Sequence, residues 1–275
     1  MTIDSFDYKE PSCALCGGEE FYYPDQNAPL GSVPVRHVTQ KLDSVLARND
    51  TAEGTRILEY WLGEARTLRD KRGELSILSE MMGLYRKTND EEKGLKSVYE
   101  GLQLVRLLGL EETVSGATIK LNAATTLKAF GKAEEALPLY KEVSLIYDKE
   151  LAPSDERRAG LCNNAALAYA DLGLYREAEE KYLAALDVLS KNEKSDNEIA
   201  ITYINLAHLY EKEGRDEEIY PCVEKAIEYL DSPRIERNGY HAFVCRKCAP
   251  SIGYFGYFIA QEKFEKRAKE LYERA

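Results

Sequence analysis

Small, apolar and polar positions recur at a fixed step along the middle of the chain. Asn164, Ala166, Tyr169, Gly173, Tyr175, Ala178, Tyr182 and Ala185 set one frame. Asn122, Ala124, Leu127, Gly131, Ala133, Ala136 and Tyr140 repeat it upstream, and Asn205, Ala207, Tyr210 and Gly214 repeat it downstream. The step from Ala124 to Ala166 is 42 residues and from Ala166 to Ala207 is 41. Self-similarity on this scale marks stacked helical units, each burying its apolar face on the next.

The pattern predicts helix pairs at 38–48 with 52–70, 75–88 with 92–108, and 114–130 with 133–149. Three more follow at 156–172 with 175–191, 197–213 with 216–230, and 238–258 with 260–274. The fold class is therefore all-α, a right-handed superhelical solenoid of about six antiparallel helix pairs. Residues 1–35 carry Pro11, Pro24, Pro29 and Pro34 and sustain no helical period, so they read as an irregular N-terminal arm. Residues 36–275 read as the repeat domain, with its best repeats at 117–230 and its last pair at 238–275. Ala166 and Ala178 are small because two helices cross closely there, and Gly173 supplies the positive φ of a helix end. Met82 and Gly94 stand at the two alanine positions of the second pair. Pro153, Pro233 and Pro250 read as stops or first-turn positions. Met81, Met82 and Trp61 read as core, and Cys162 and Cys222 as packing residues within repeat helices.

The stretch Leu161-Cys162-Asn163-Asn164-Ala165-Ala166-Leu167-Ala168-Tyr169, followed by Gly173-Leu174-Tyr175-Arg176-Glu177-Ala178, resembles a tetratricopeptide repeat. The long step and the Asn-Asn-x-Ala start are similar to the subclass found in kinesin light chains. The resemblance implies a scaffold that binds a protein or peptide segment along a concave face made by the first helix of each pair. It also implies that asparagines at the frame positions Asn122, Asn164 and Asn205 clamp the backbone of the bound segment. An amide suits this task because it carries both a donor and an acceptor. The other reading of these residues is that they bridge adjacent helices. Arg86, Lys87, Lys128, Asn163 and His208 are further candidates on first-helix faces, with Lys212 beside them. The basic set with which some relatives hold a C-terminal carboxylate is not evident, since Leu121 and Ile204 occupy its polar positions.

Two C-x-x-C pairs lie at the chain's extremes, Cys13/Cys16 and Cys245/Cys248. Four thiolates in two such pairs make a tetrahedral zinc site if they meet. The arm from Gly17 to Arg36 spans up to about 65 Å when extended, against roughly 50 Å for five steps along a straight stack. A zinc- or redox-responsive regulator, its arm tied to the last repeat, is thus the alternative function. His241 lies four residues before Cys245, which opens a local His241/Cys245/Cys248 arrangement. Inert packing thiols are the third reading.

Charge and composition narrow the classes. Lys and Arg total 37 against 48 Asp and Glu, a net charge of −11. A nucleic-acid binder presents a basic face, so no nucleic-acid partner is expected. The acidic balance points to neutral, apolar or basic partners. No apolar run approaches the length of a membrane span, and the polar start, Met1–Glu10, does not read as a secretory signal. A reducing, cytoplasmic setting and no membrane association are expected. No phosphate loop, nucleophile elbow or H-E-x-x-H motif is present, so no enzyme activity is expected. The aromatic-rich last pair leaves a homodimer open.

Overall fold

The computed structural model describes residues 28–48 and 50–273, so the first cysteine pair, Cys13 and Cys16, lies outside the described residues. Twelve helices and no strand occur among those residues. They are α1 Val35–Ala47, α2 Thr51–Thr67, α3 Lys71–Thr88, α4 Glu91–Leu107, α5 Val114–Ala129 and α6 Ala133–Glu150. The remainder are α7 Glu156–Asp171, α8 Tyr175–Ser190, α9 Asp196–Glu213, α10 Asp216–Leu230, α11 Gly239–Tyr254 and α12 Phe258–Glu273. The chain forms two compact units, Met1–Ile77 and Leu78–Ala275, with the division inside α3.

In the first unit α1 packs on α2. Val38, Leu42 and Val45 are buried on one helix and Ile57, Leu58 and Ala65 on the other. Asp50 accepts from the Glu53 amide at 3.0 Å and caps α2. Asp70 caps α3 through the Gly73 amide and also accepts from the Val33 amide, both at 2.8 Å. That cap explains why α3 begins at Lys71, four residues before the predicted start. Arg69 takes the left-handed conformation that ends α2, where the sequence offers no glycine to mark it. Trp61 is half-buried against Tyr60, edge to face at 5.3 Å, rather than wholly within a core.

The second unit is built from one repeated joint. Asn89, Gly131, Gly173, Gly214 and Gly256 all have φ between 57° and 93° and each follows a first helix. Their spacings of 42, 42, 41 and 42 residues extend the frame across five pairs. Asn89 takes the glycine position because its short polar side chain tolerates this conformation. Asp90 caps α4 directly after its joint, and Thr113, Asp155 and Asn238 cap the first helices α5, α7 and α11, each accepting from an amide in the following turn. Ala124, Ala166, Ala207 and Ala249 are wholly buried at the helix crossings, as are Ala136 and Ala178. Met82 and Gly94 hold these positions in the α3–α4 pair. A Cβ on Gly94 would lie 2.5 Å from the Phe130 ring, so the next repeat's aromatic fills the space.

Second helices pack on the first helix of the following pair: α4 on α5, α6 on α7, α8 on α9 and α10 on α11. Successive first helices α5, α7, α9 and α11 also touch one another, and no comparable contact joins successive second helices. The first helices therefore line the tighter, inner face of this unit. The last pair departs from its predicted bounds. α11 ends at Tyr254 and Gly256 makes the turn, while Pro250 lies inside the helix rather than at a stop.

Candidate peptide-binding face

The frame places side chains from α3, α5, α7, α9 and α11 on the inner face, and the structure shows what each does there. Asn122 donates from Nδ2 to Ser79 Oγ at 2.9 Å, joining α5 to α3. Asn163 donates to Thr202 Oγ1 at 2.9 Å, joining α7 to α9. Thr202 spends its own proton on the Glu198 carbonyl at 2.8 Å. Asn163 Oδ1 is consequently a buried acceptor without a partner among the described residues. Asn164 donates to the Gly160 carbonyl of its own helix at 3.0 Å. Asn205 is half-buried, and its side chain bonds to no described residue. Within the asparagine row, Asn122 thus bridges helices, Asn164 bonds within its own helix and the Asn205 amide stays unspent, while Asn163 beside the row forms a second bridge.

The cations divide similarly. Arg86 donates to the Asn122 carbonyl at 3.1 Å and to Thr126 Oγ1 at 3.0 Å, and burial pushes its pKa down. Lys128 pairs with Asp171 at 3.1 Å across α5 and α7. Lys87, Lys212, Arg246 and Lys247 are exposed and form no ion pair with a described residue. Arg246 and Lys247 stand one repeat beyond Ile204 and Asn205. The 42-residue step places Lys247 at the register of Asn205, and sequence reasoning missed it because it followed residue identity rather than register. Arg246, at the register of buried Ile204, stacks its guanidinium on the Tyr272 ring of α12 at 5.3 Å. His208 Nε2 lies 2.9 Å from Ser251 Oγ and Nδ1 lies 3.3 Å from Glu211 Oε2. Its ring packs 4.9 Å from that of Phe255. The Tyr254 hydroxyl, with a smaller part from His208, holds the Glu211 carboxyl below the usual range. At the edge of the face a cleft of about 550 Å³ is lined by Gly131, Ala170, Asp171, Tyr175 and Lys212.

Cys245 and Cys248 lie inside α11 and are completely or almost completely buried. Their backbone is helical, so it does not form the turn that points amides at a metal-bound sulfur. Burial raises both thiols, Cys248 to about 12. His241 is also wholly buried. Its Nδ1 donates to Asn197 Oδ1 at 2.8 Å, and its Nε2 accepts from Arg237 Nη1 at 2.6 Å. Cys245 Sγ sits 3.3 Å from the same Nε2. Burial, then the Arg237 and Arg267 charges, press the imidazole down to about 4, so it is neutral here. Among the described residues no group of three or more His, Cys, Asp or Glu is placed to hold a metal ion. Cys162 is half-buried and Cys222 buried, both as free thiols.

No family model and no curated protein matches this chain by sequence. Solved structures do. The kinesin light chain TPR-like repeats of Podosopora anserina superpose with a TM-score of 0.60 at 20% identity, over 71% of this chain and 94% of theirs. RapI in its apo form gives 0.60 at 12% identity, over 88% and 98%. PilW, a type IV pilus biogenesis factor, gives 0.57 at 13% identity, over 89% and 96%. The fold is a tetratricopeptide-like helical solenoid. At these identities the likeness bears on architecture alone. No helix among the described residues is long and apolar enough to cross a membrane.

Proposed function

We propose that this protein is a non-catalytic scaffold whose inner face, formed by α3, α5, α7, α9 and α11, holds an extended segment of another protein. The observation that carries the reading is the unspent hydrogen-bonding capacity of the half-buried Asn205 amide on a face otherwise occupied by helix-to-helix bonds. It offers a donor and an acceptor to one peptide unit. The three exposed lysines Lys87, Lys212 and Lys247, which form no ion pair with a described residue, stand on the same helices of a chain with net charge −11. A segment carrying carboxylates complements them, which narrows the partner chemistry expected from total charge.

The test begins with a random peptide display library selected on the full chain. A selected peptide is then titrated against the wild type and an Asn205→Ala variant by fluorescence anisotropy. The expected result is a loss of roughly tenfold or more in affinity, about 1.4 kcal/mol, at unchanged helix content. Equal affinity for both proteins would overturn the reading.

A further inference from the structure

The turn between α11 and α12 reads Tyr254-Phe255-Gly256-Tyr257-Phe258-Ile259. Phe255 packs on His208, and the Tyr257 hydroxyl donates to Glu224 Oε1 at 3.1 Å. The rest points to solvent: Tyr254 is 68% exposed, Phe258 70% and Ile259 88%. Tyr220, one turn before Glu224 on α10, is 56% exposed.

The equivalent turns are built otherwise. Ala129, Asp171 and Lys212 stand at the register of Tyr254, and Glu134, Arg176 and Glu217 at that of Ile259. All six are exposed, as are Lys87 and Glu92 in the turn at Asn89, so these two positions face solvent in each preceding turn and are charged in seven of the eight cases. Only the last turn replaces them with large apolar side chains. Such a concentration of exposed apolar groups marks a contact surface.

The charges around it identify the occupant. Asp216, Glu217 and Glu224 are exposed on α10, Glu262 is exposed one turn along α12, and Glu211 lies under Tyr254. Nearby cations are mostly spent: Arg215 on Glu179, Glu213 and Glu218, and Lys263 on Asp231. Lys212 on α9 is the neighbouring cation without an ion pair to a described residue. A second copy would bring the same carboxylates against this rim, and like charges oppose that pairing. We infer that the Tyr220/Tyr254/Phe258/Ile259 surface docks a basic amphipathic helix of a partner protein, its apolar stripe on the aromatic residues and its Lys or Arg flanks on the carboxylates. This surface adjoins the inner face at Tyr254, whose ring lies beside His208, and extends from there onto α10 and α12.

The probe is a synthetic helix of roughly 16 residues with Leu at i, i+3, i+4 and i+7 and Lys on both flanks. It is titrated against the full chain by fluorescence anisotropy, beside the same peptide with Glu replacing Lys. Binding of the Lys peptide, weakened roughly tenfold by Phe258→Ser/Ile259→Ser and by about 0.5 M salt, is expected. The Asn205→Ala variant should bind it normally, which separates this surface from the inner face. Equal binding of the Glu peptide, or no effect of the double variant, would overturn the inference. So would sedimentation showing a dimer that Ile259→Ser abolishes, since the surface would then join two copies, or adsorption to zwitterionic vesicles lost in the same variant.

Discussion

Replacing His241 by Gln isolates one buried titration. Wild-type His241 is neutral when folded, with its pKa lowered from 6.5 to about 4, chiefly by burial and then by Arg237 and Arg267, with Asp231 opposing. The unfolded chain therefore binds a proton at this position between those values and the folded chain does not. Stability from the neutral imidazole is complete above about pH 6.5 and declines as the pH falls toward 4. At roughly 1.4 kcal/mol per pH unit, the loss is about 2 kcal/mol by pH 5 and about 3 kcal/mol by pH 4. Glutamine keeps a donor for Asn197 Oδ1 and an acceptor for Arg237 but takes up no proton. Urea unfolding of both proteins, followed by circular dichroism from neutral pH to about pH 4.5, measures the difference. Acid-sensitive groups that do not act on His241, Glu74 among them, are common to both proteins and cancel. The wild type should lose about 2 kcal/mol relative to the variant by pH 5. A difference that stays constant across this range would refute the neutral, buried assignment.

Gly214→Ala should cost about 1 kcal/mol, because φ is +68° at this joint, and thermal unfolding would register it. Ala207→Leu should cost about 1–3 kcal/mol by forcing α9 from its neighbours, seen as a lowered urea midpoint. Arg234→Met removes the bidentate partner of buried Asp196, whose oxygens lie 2.7 and 3.1 Å from the guanidinium, and should cost about 3 kcal/mol in the same assay. Cys245 and Cys248 should resist a thiol reagent until the protein unfolds, while half-buried Cys162 reacts sooner. Metal analysis on that sample addresses the tie to Cys13 and Cys16: about one zinc per chain, with thiols freed only on chelation, would favour it.

The repeat was legible because its constraints are steric and local. The alanines at 124, 166 and 207 and the glycines at 131, 173 and 214 each answer a crossing or a left-handed cap. Joints that use other residues were missed: Arg69 ends α2 without glycine, and Pro250 invited a stop that α11 does not make. Gly256, 42 residues beyond Gly214, carried the right signal for the last turn. The inner face was legible as a register but not as a set of bonds. Nothing in the sequence distinguishes Asn122, tied to Ser79, from Asn205, which bonds to no described residue, because that depends on the neighbouring helix. Net charge is silent on placement for a related reason: an average over the chain does not show that Lys87, Lys212 and Lys247 stand exposed on first helices.

The most direct test of the peptide-holding face is a photo-crosslink. A benzophenone side chain is placed at position 205 on α9 or, as control, at exposed position 187 on α8, and each protein is irradiated with a selected peptide. Crosslinking from 205 and not from 187 is the expected result. Crosslinking from 187 alone would place the peptide on the second helices and contradict the account.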